Sequence, residues 1–188
     1  MKLAASFDAT THDRATGFTL IELMVALSVA AILTAVAIPA FSNFMMNDRD
    51  SSQINALSSS FNYARSEAVK RNTAVGVQVC PSTDRLTCNA AAPWSSGWIV
   101  FDMDPTDTAP LLQSLPALGG SNALTATLGG ATGVVFRSSG AVTAPVRIKI
   151  CDPRGSSYAR DVEVSAVGNI AVSQSPGRDA NGGALVCP

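Results

Sequence analysis

Two hydrophobic periods divide the chain. No charged side chain occurs from Leu23 to Met46, and a helix of that length spans roughly 36 Å against a hydrocarbon core of about 30 Å. The run is long enough to cross a bilayer. The small residue Gly17 stands before it rather than after it, so the segment reads as a retained anchor and not as a secretory signal cleaved beyond its apolar core. Pro39 lies inside the run, removes one helical hydrogen bond, and is expected to kink or loosen the helix between Thr34 and Pro39. From Asn47 to Asn72 the apolar residues Ile54, Leu57, Phe61, Ala64 and Ala68 recur at spacings of three and four. That predicts a continuing helix with one narrow stripe to bury. Glu67 and Arg71, four apart, add a surface contribution of about 0.3 kcal/mol. Arg65 falls beside the stripe, where it snorkels or pairs at the packing edge.

After Asn72 the period changes to two. AVGVQVC (74 to 80), GWIVFDMD (97 to 104), LTATL (124 to 128), GVVF (133 to 136), VRIKIC (146 to 151) and DVEVS with NIAVS (161 to 173) alternate or are rich in β-formers. RSSGAV and SAVGNI read as hairpin turns, with Gly140 and Gly168 supplying positive φ. A helix with one apolar stripe, followed by strands, lays that stripe over a sheet face. The expected fold is α+β, with a long N-terminal helix, half transmembrane and half amphipathic, packed on an antiparallel β-sheet domain. The segments are a polar leader (1–17), a transmembrane or assembly helix (18–46), its amphipathic continuation (47–72) and a β-rich globular domain (73–188).

Charge and cysteine usage orient this arrangement. Lys2 and Arg14 precede the apolar run, diluted by Asp8 and Asp13, whereas Asp48, Arg49 and Asp50 follow it. The weak positive-inside bias places the N-terminus in the cytoplasm and the β-rich domain across the membrane. All four cysteines, Cys80, Cys88, Cys151 and Cys187, lie beyond the run, and an even count in an oxidising compartment reads as two disulfides. Three pairings are open; Cys80–Cys88, a local loop, with Cys151–Cys187, which ties down the tail, is the favoured one. A metal site is disfavoured, because no CxxC pair occurs and the only histidine, His12, precedes the run.

Catalytic chemistry finds little support. No serine sits in a G-x-S-x-G elbow, and GGATGVVF lacks the GK[ST] end of a phosphate loop and precedes a strand. Asp102 and Asp104 stand two apart and on one strand would share a face. A solvated strand end is a better reading for them than calcium binding or a shared proton. From residue 137 onward six cations face four carboxylates (Arg137, Arg147, Lys149, Arg154, Arg160 and Arg178 against Asp152, Asp161, Glu163 and Asp179). This excess of two is small for a polyanion-binding face. Enzyme is the least supported class, and no cofactor is implied.

Glu22 is the anomaly. A carboxylate within a membrane helix costs about 2.5 to 3.5 kcal/mol on insertion scales and usually pairs with a cation, yet the apolar run offers none. A cut after Gly17 would give Phe18 a new α-amino group, and Glu22 of a neighbouring subunit could then neutralise it. The stretch GFTLIELMVALSVAAILTAVAIPAF resembles the class III signal of type IV prepilins and type II secretion pseudoprepilins. Gly17 and Phe18 stand at the cleavage site, Glu22 is the fifth mature residue, and Pro39 falls where pilin helices commonly carry a proline. The resemblance implies a prepilin peptidase that cuts after Gly17 and N-methylates Phe18, removing His12 with a leader longer than many in that class.

Further along, ARSEAVKRN (64 to 72), VCPS with Cys88 (79 to 88), GWIVFDMD and IKICDPRG (148 to 155) are similar to the GspH/FimT family of minor pilins and pseudopilins. The resemblance implies a non-catalytic subunit, anchored in the bacterial inner membrane with its globular domain in the periplasm. Its partners would be other major and minor pilins or pseudopilins, and it would help to prime or cap a filament. The Cys80 to Cys88 loop followed by GWIVFDMD looks more like the type IV pilus members than the type II secretion pseudopilin, which is the alternative. Some FimT-type pilins bind DNA through a G-R-x-R motif near the C-terminus. Here GNIA (Gly168 to Ala171) lacks both arginines and GRDA (Gly177 to Ala180) keeps one. Arg178, with Arg154 and Arg160, is therefore a candidate DNA contact of low affinity. Mass spectrometry of the protein from its native membrane is expected to find N-methylated Phe18 at the N-terminus. A chain still extending upstream of Gly17 in peptidase-competent cells would refute the pilin reading.

Overall fold

The computed structural model describes residues 17–72, 74–108, 110–128 and 133–187. The leader expected at 1–16, with His12, lies outside the described residues, as does part of the GGATGVVF loop. One α-helix, α1, spans Leu20–Arg71. Residues up to Phe44 belong to one compact unit and Met45–Pro188 to a second.

In the first unit, every described residue is exposed, and the helix is long and apolar enough to cross a membrane. Helix assignment is unbroken through Pro39, so the loosening expected between Thr34 and Pro39 does not interrupt it. Proline removes a single N–H donor, and the bonds on either side suffice to carry the helix on. The Thr34 hydroxyl also donates to the carbonyls of Ala30 (2.9 Å) and Ala31 (3.0 Å), the back-bonding open to a hydroxyl within a helix.

In the second unit, the stripe on α1 is buried as its spacing requires: Ile54, Leu57, Phe61, Ala64 and Ala68 are all 1% exposed or less. What it covers is two sheets rather than one. The first has the order β3-β2-β1-β5, from β1 (Val77–Pro81), β2 (Trp98–Asp102), β3 (Leu111–Leu115) and β5 (Val134–Phe136). The second has the order β4-β6-β7-β8, from β4 (Ala123–Leu128), β6 (Val146–Cys151), β7 (Arg160–Val164) and β8 (Ile170–Val172). Every pairing is antiparallel. Strand β3 was not anticipated, because LLQSL neither alternates nor carries β-branched residues. Its pairing with β2 is irregular, with a register shift at Val100 and Phe101.

Alternation places Val77 and Val79 of β1, Val146, Ile148 and Ile150 of β6, and Val162 and Val164 of β7 in one core with the helix stripe. Phe61 is its centre. Its ring meets Trp94 edge-on and Phe136 at a tilt, each at 6.3 Å between centroids. Trp98 is fully buried and donates its indole N–H to Ser60 Oγ at 2.9 Å, so its one polar atom is satisfied.

The predicted turns at Gly140 and Gly168 take φ of 79° and 80°. They also stack on each other, since a Cβ at Gly168 would collide with the Gly140 carbonyl. Arg65 donates to that same carbonyl through Nε at 3.2 Å, which ties α1 to both turns. Phe61→Ala is expected to lower the unfolding free energy of the full-length protein in detergent by about 3–5 kcal/mol. The half-exposed Val69→Ala should stay within about 0.5 kcal/mol, both read by denaturant titration.

Candidate assembly site and its charged clasps

The first turn of α1 explains part of Glu22. Thr19 precedes the helix, and its N–H and hydroxyl both donate to Glu22 Oε2 at 2.9 Å, while the Glu22 N–H donates back to Thr19 Oγ1 at 3.3 Å. This is a reciprocal capping box, which satisfies helix-terminal donors that have no carbonyl partner. The T-x-x-E spacing at 19–22 is the sequence signature of that box. A plain anchor could therefore also use Glu22. Gly17 and Phe18 directly precede the box; Phe18 is 89% exposed, and nothing lies within 4 Å of where a Gly17 Cβ would stand. The candidate scissile bond, the carboxylate and the start of the apolar surface thus occupy one short, open segment.

In the globular unit, α1 is gripped by two ion-pair clusters. Asp50, 2% exposed, accepts from Asn122 Nδ2 at 2.6 Å and pairs with Arg154 Nη2 at 3.3 Å. Arg154 also pairs with Asp152 and stacks over Tyr158, 4.1 Å from its ring centroid. Burial pushes the Asp50 carboxyl above its ordinary range, and the adjacent Asp152 adds to this. Burial acts on Asp152 in the same direction, but hydrogen bonds from Arg154 outweigh it and hold Asp152 below its ordinary value. Arg154, a candidate DNA contact by sequence, is therefore turned inward, with a side chain only 12% exposed.

The second cluster closes the other end. Arg71 reaches Glu67 (2.9 Å), Asp102 (3.0 Å) and Asp107 (2.7 Å). Its hydrogen bond lowers the Glu67 carboxyl, against burial. Two expectations are corrected here. Glu67–Arg71 is a surface pair on one side only, since Glu67 is 8% exposed while Arg71 is exposed. Asp102 is not a solvated strand end, since it is 1% exposed. Strand β2 stops at Asp102, so Asp104 lies on the following turn, where it accepts from Thr106.

The cysteines are joined as Cys80–Cys88 and Cys151–Cys187, with Cα atoms 5.5 and 5.8 Å apart. Inside the first loop Asp84 accepts from the Leu86 and Thr87 N–H groups and from the Ser82 and Thr87 hydroxyls. Those donors, the backbone ones first, hold its carboxyl well below the usual carboxylate range. GNIA forms the turn into β8. Arg178 is exposed and donates to Gly182 O at 3.1 Å. Arg160 is half-buried on β7, and the Gly177 N–H to Ala159 O bond (2.8 Å) sets the two segments side by side. Of the three arginine candidates, Arg178 and Arg160 thus lie on neighbouring backbone segments, and Arg154 is committed to Asp50 and Asp152.

A family model described as type II transport protein GspH matches residues 53–168. The chain belongs to the GspH family. A second model, the prokaryotic N-terminal methylation motif, matches residues 13–38. It brackets Gly17, Phe18 and Glu22. Two crystal structures of the type IV minor pilin FimU from Pseudomonas aeruginosa are similar. One has 19% identity and a TM-score of 0.51, covering 65% of this chain and 91% of FimU. The other has 19% identity and a TM-score of 0.53, covering 70% and 98%. The minor pseudopilin EpsH of the type 2 secretion system of Vibrio cholerae matches at 14% identity with a TM-score of 0.47, covering 66% and 96%. GspH is a family of minor pilins and pseudopilins, and this chain has the α+β fold of the FimU structures. Arg154→Ala in this family member leaves two buried carboxylates without their cation. It is expected to cost about 3–5 kcal/mol of stability, whereas the exposed Arg178→Ala should stay within about 0.5 kcal/mol, both from denaturant unfolding at pH 7.

Proposed function

We propose that this chain is a minor pilin of a type IV pilus that helps to prime or cap filament assembly. A prepilin peptidase cuts it after Gly17 and methylates Phe18, and Glu22 pairs with the α-amino group of a neighbouring pilin. The observation that carries this reading is the open segment from Gly17 to Glu22 at the head of α1, whose apolar stretch is exposed at every residue up to Phe44. Such a surface needs lipid before assembly and neighbouring helices after it. The Cys80–Cys88 loop running into GWIVFDMD favours the pilus over the type II secretion pseudopilus, and the β-rich unit would then stand in the periplasm. DNA capture is the weaker reading, because Arg154 is committed to Asp50 and Asp152 and leaves Arg178 and Arg160 alone as candidate phosphate contacts.

Glu22 has two separable roles, and two substitutions tell them apart. Glutamine preserves a capping box but carries no charge, whereas alanine removes both. Glu22→Gln and Glu22→Ala are each expected to reduce the subunit's recovery in sheared pili by at least about tenfold, the factor that corresponds to about 1.4 kcal/mol of lost pairing. Wild-type recovery of Glu22→Gln would confine the carboxylate to capping and overturn the pairing role. A secretion defect with normal piliation on gene deletion would move the protein to the secretion pseudopilus.

A further inference from the structure

The outer face of β6 and β7 carries a charge cluster that the assembly reading does not use. Arg147 and Lys149 of β6 lie opposite Glu163 and Asp161 of β7. The C-terminal segment covers them: Asn181 Nδ2 donates to Glu163 Oε2 at 3.1 Å, Lys149 Nζ donates to Val186 O at 2.7 Å, and Asp179 Oδ2 lies 3.4 Å from Arg147 Nη1. Under this cover Asp161 is completely buried, and neither of its carboxylate oxygens has a hydrogen-bond partner. Among the described residues its ion-pair partner is Arg147, with Nε at 3.4 Å. The same guanidinium serves Glu163 at 2.9 Å and Asp179 at 3.4 Å. One positive charge is thus divided among three carboxylates, and Asp161, the one with least access to water, is no closer to it than 3.4 Å and lacks the backbone donors that Asp179 has in Asn181 and Gly183.

We propose that the segment Gly177–Val186 is a proton-dependent clasp, held closed over β6 and β7 by the neutral form of Asp161 and loosened when that carboxyl ionises. Among the described residues no other cation forms an ion pair with Asp161. Strands β4 and β8 carry no charged residue, Arg178 donates to Gly182 O, and Lys149 is engaged by Val186. The Asp161 backbone donates its N–H to the Ser173 hydroxyl and accepts from the Ser173 N–H, which leaves the carboxyl untouched. Burial raises the carboxyl to about 6; Arg147 opposes this, Asp179 and Glu163 add to it, and the Ala180 N–H opposes it weakly.

The sign follows from linkage. The closed segment binds this proton more tightly than the open one, so closure is fully favoured below the ordinary carboxylate range and is progressively lost as pH rises through about 6. The Cys151–Cys187 bridge tethers the far end, which confines opening to the intervening turns.

Hydrogen exchange on the full-length protein in detergent, corrected for intrinsic pH dependence, reads the opening directly. Amides of Asp179 to Val186 are expected to lose about tenfold in protection between pH 5 and pH 7.5, as an ordinary carboxylate in the open state and one raised to about 6 in the closed state require. Asp161→Asn, which cannot ionise, should flatten that dependence. Should the variant fail to fold, the wild-type Asp161 carboxyl can be titrated by carbon NMR, with a midpoint near 6 expected. Protection independent of pH, a wild-type slope in Asp161→Asn, or a carboxyl midpoint near the ordinary Asp value would each overturn the clasp.

Discussion

One face of α1 has to satisfy two sheets at once, and the globular unit is arranged around that demand. Both four-stranded sheets turn inward residues into one core with Ile54, Leu57, Phe61, Ala64 and Ala68. The alanines are as important as the phenylalanine. Small side chains at 64 and 68 let the strands approach where Phe61 has already filled the centre, which is how interiors reach crystal-like density without strain. Ser60, at the same level, is tolerated in the core because the Trp98 indole needs an acceptor there.

The two ion-pair clusters follow from the same packing. A helix pressed over the junction of two sheets buries polar positions at the edges of its stripe, and buried carboxylates are costly unless paired. Asp50 and Glu67 stand at opposite ends of the stripe, and each receives an arginine: Arg154 from the loop after β6, and Arg71 from the helix itself. Both arginines are shared, with Asp152 in the first case and Asp102 and Asp107 in the second. The clusters therefore fix the helix's position and rotation over the sheets more than they add net stability, since a paired buried charge roughly offsets its own desolvation.

How much of this was legible depends on the range of each interaction. The stripe, the change of period after Asn72 and the turn glycines are local patterns, and they identified the helix, most strands and the α+β class. Period-two alternation tells which face of a strand is buried but not which sheet the strand joins, so the split into two sheets was not visible. Strand β3 owes its conformation to pairing with β2 rather than to its composition. Asp50 and Arg154 are 104 residues apart in sequence, and no local signal links them; a polar residue at the stripe edge was the only hint. For the candidate assembly segment, the cleavage motif was readable at once, and its prominence hid the simpler capping box formed by Thr19 and Glu22.

Where the arginines are committed also decides what kind of surface the globular unit presents. By count the chain beyond residue 137 carries more cations than anions, but Arg147 and Arg154 are enclosed by carboxylates and Lys149 is held by the tail. Polyanion binding draws its strength from cations whose neutralisation of phosphate releases counterions, and each such contact contributes about 0.9 to the salt slope on duplex DNA. A cation already neutralised by a neighbouring carboxylate contributes little to that term. What remains outward is a mixed surface, punctuated by rigid loops: the Asp84 loop closed by Cys80–Cys88, with Leu86 at 63% exposure, and the turn carrying Val167 at 70%. Preorganised loops with single exposed apolar residues suit contacts between proteins, where little entropy is lost on docking. That agrees better with a subunit recognised by its neighbours in a filament than with a receptor for nucleic acid.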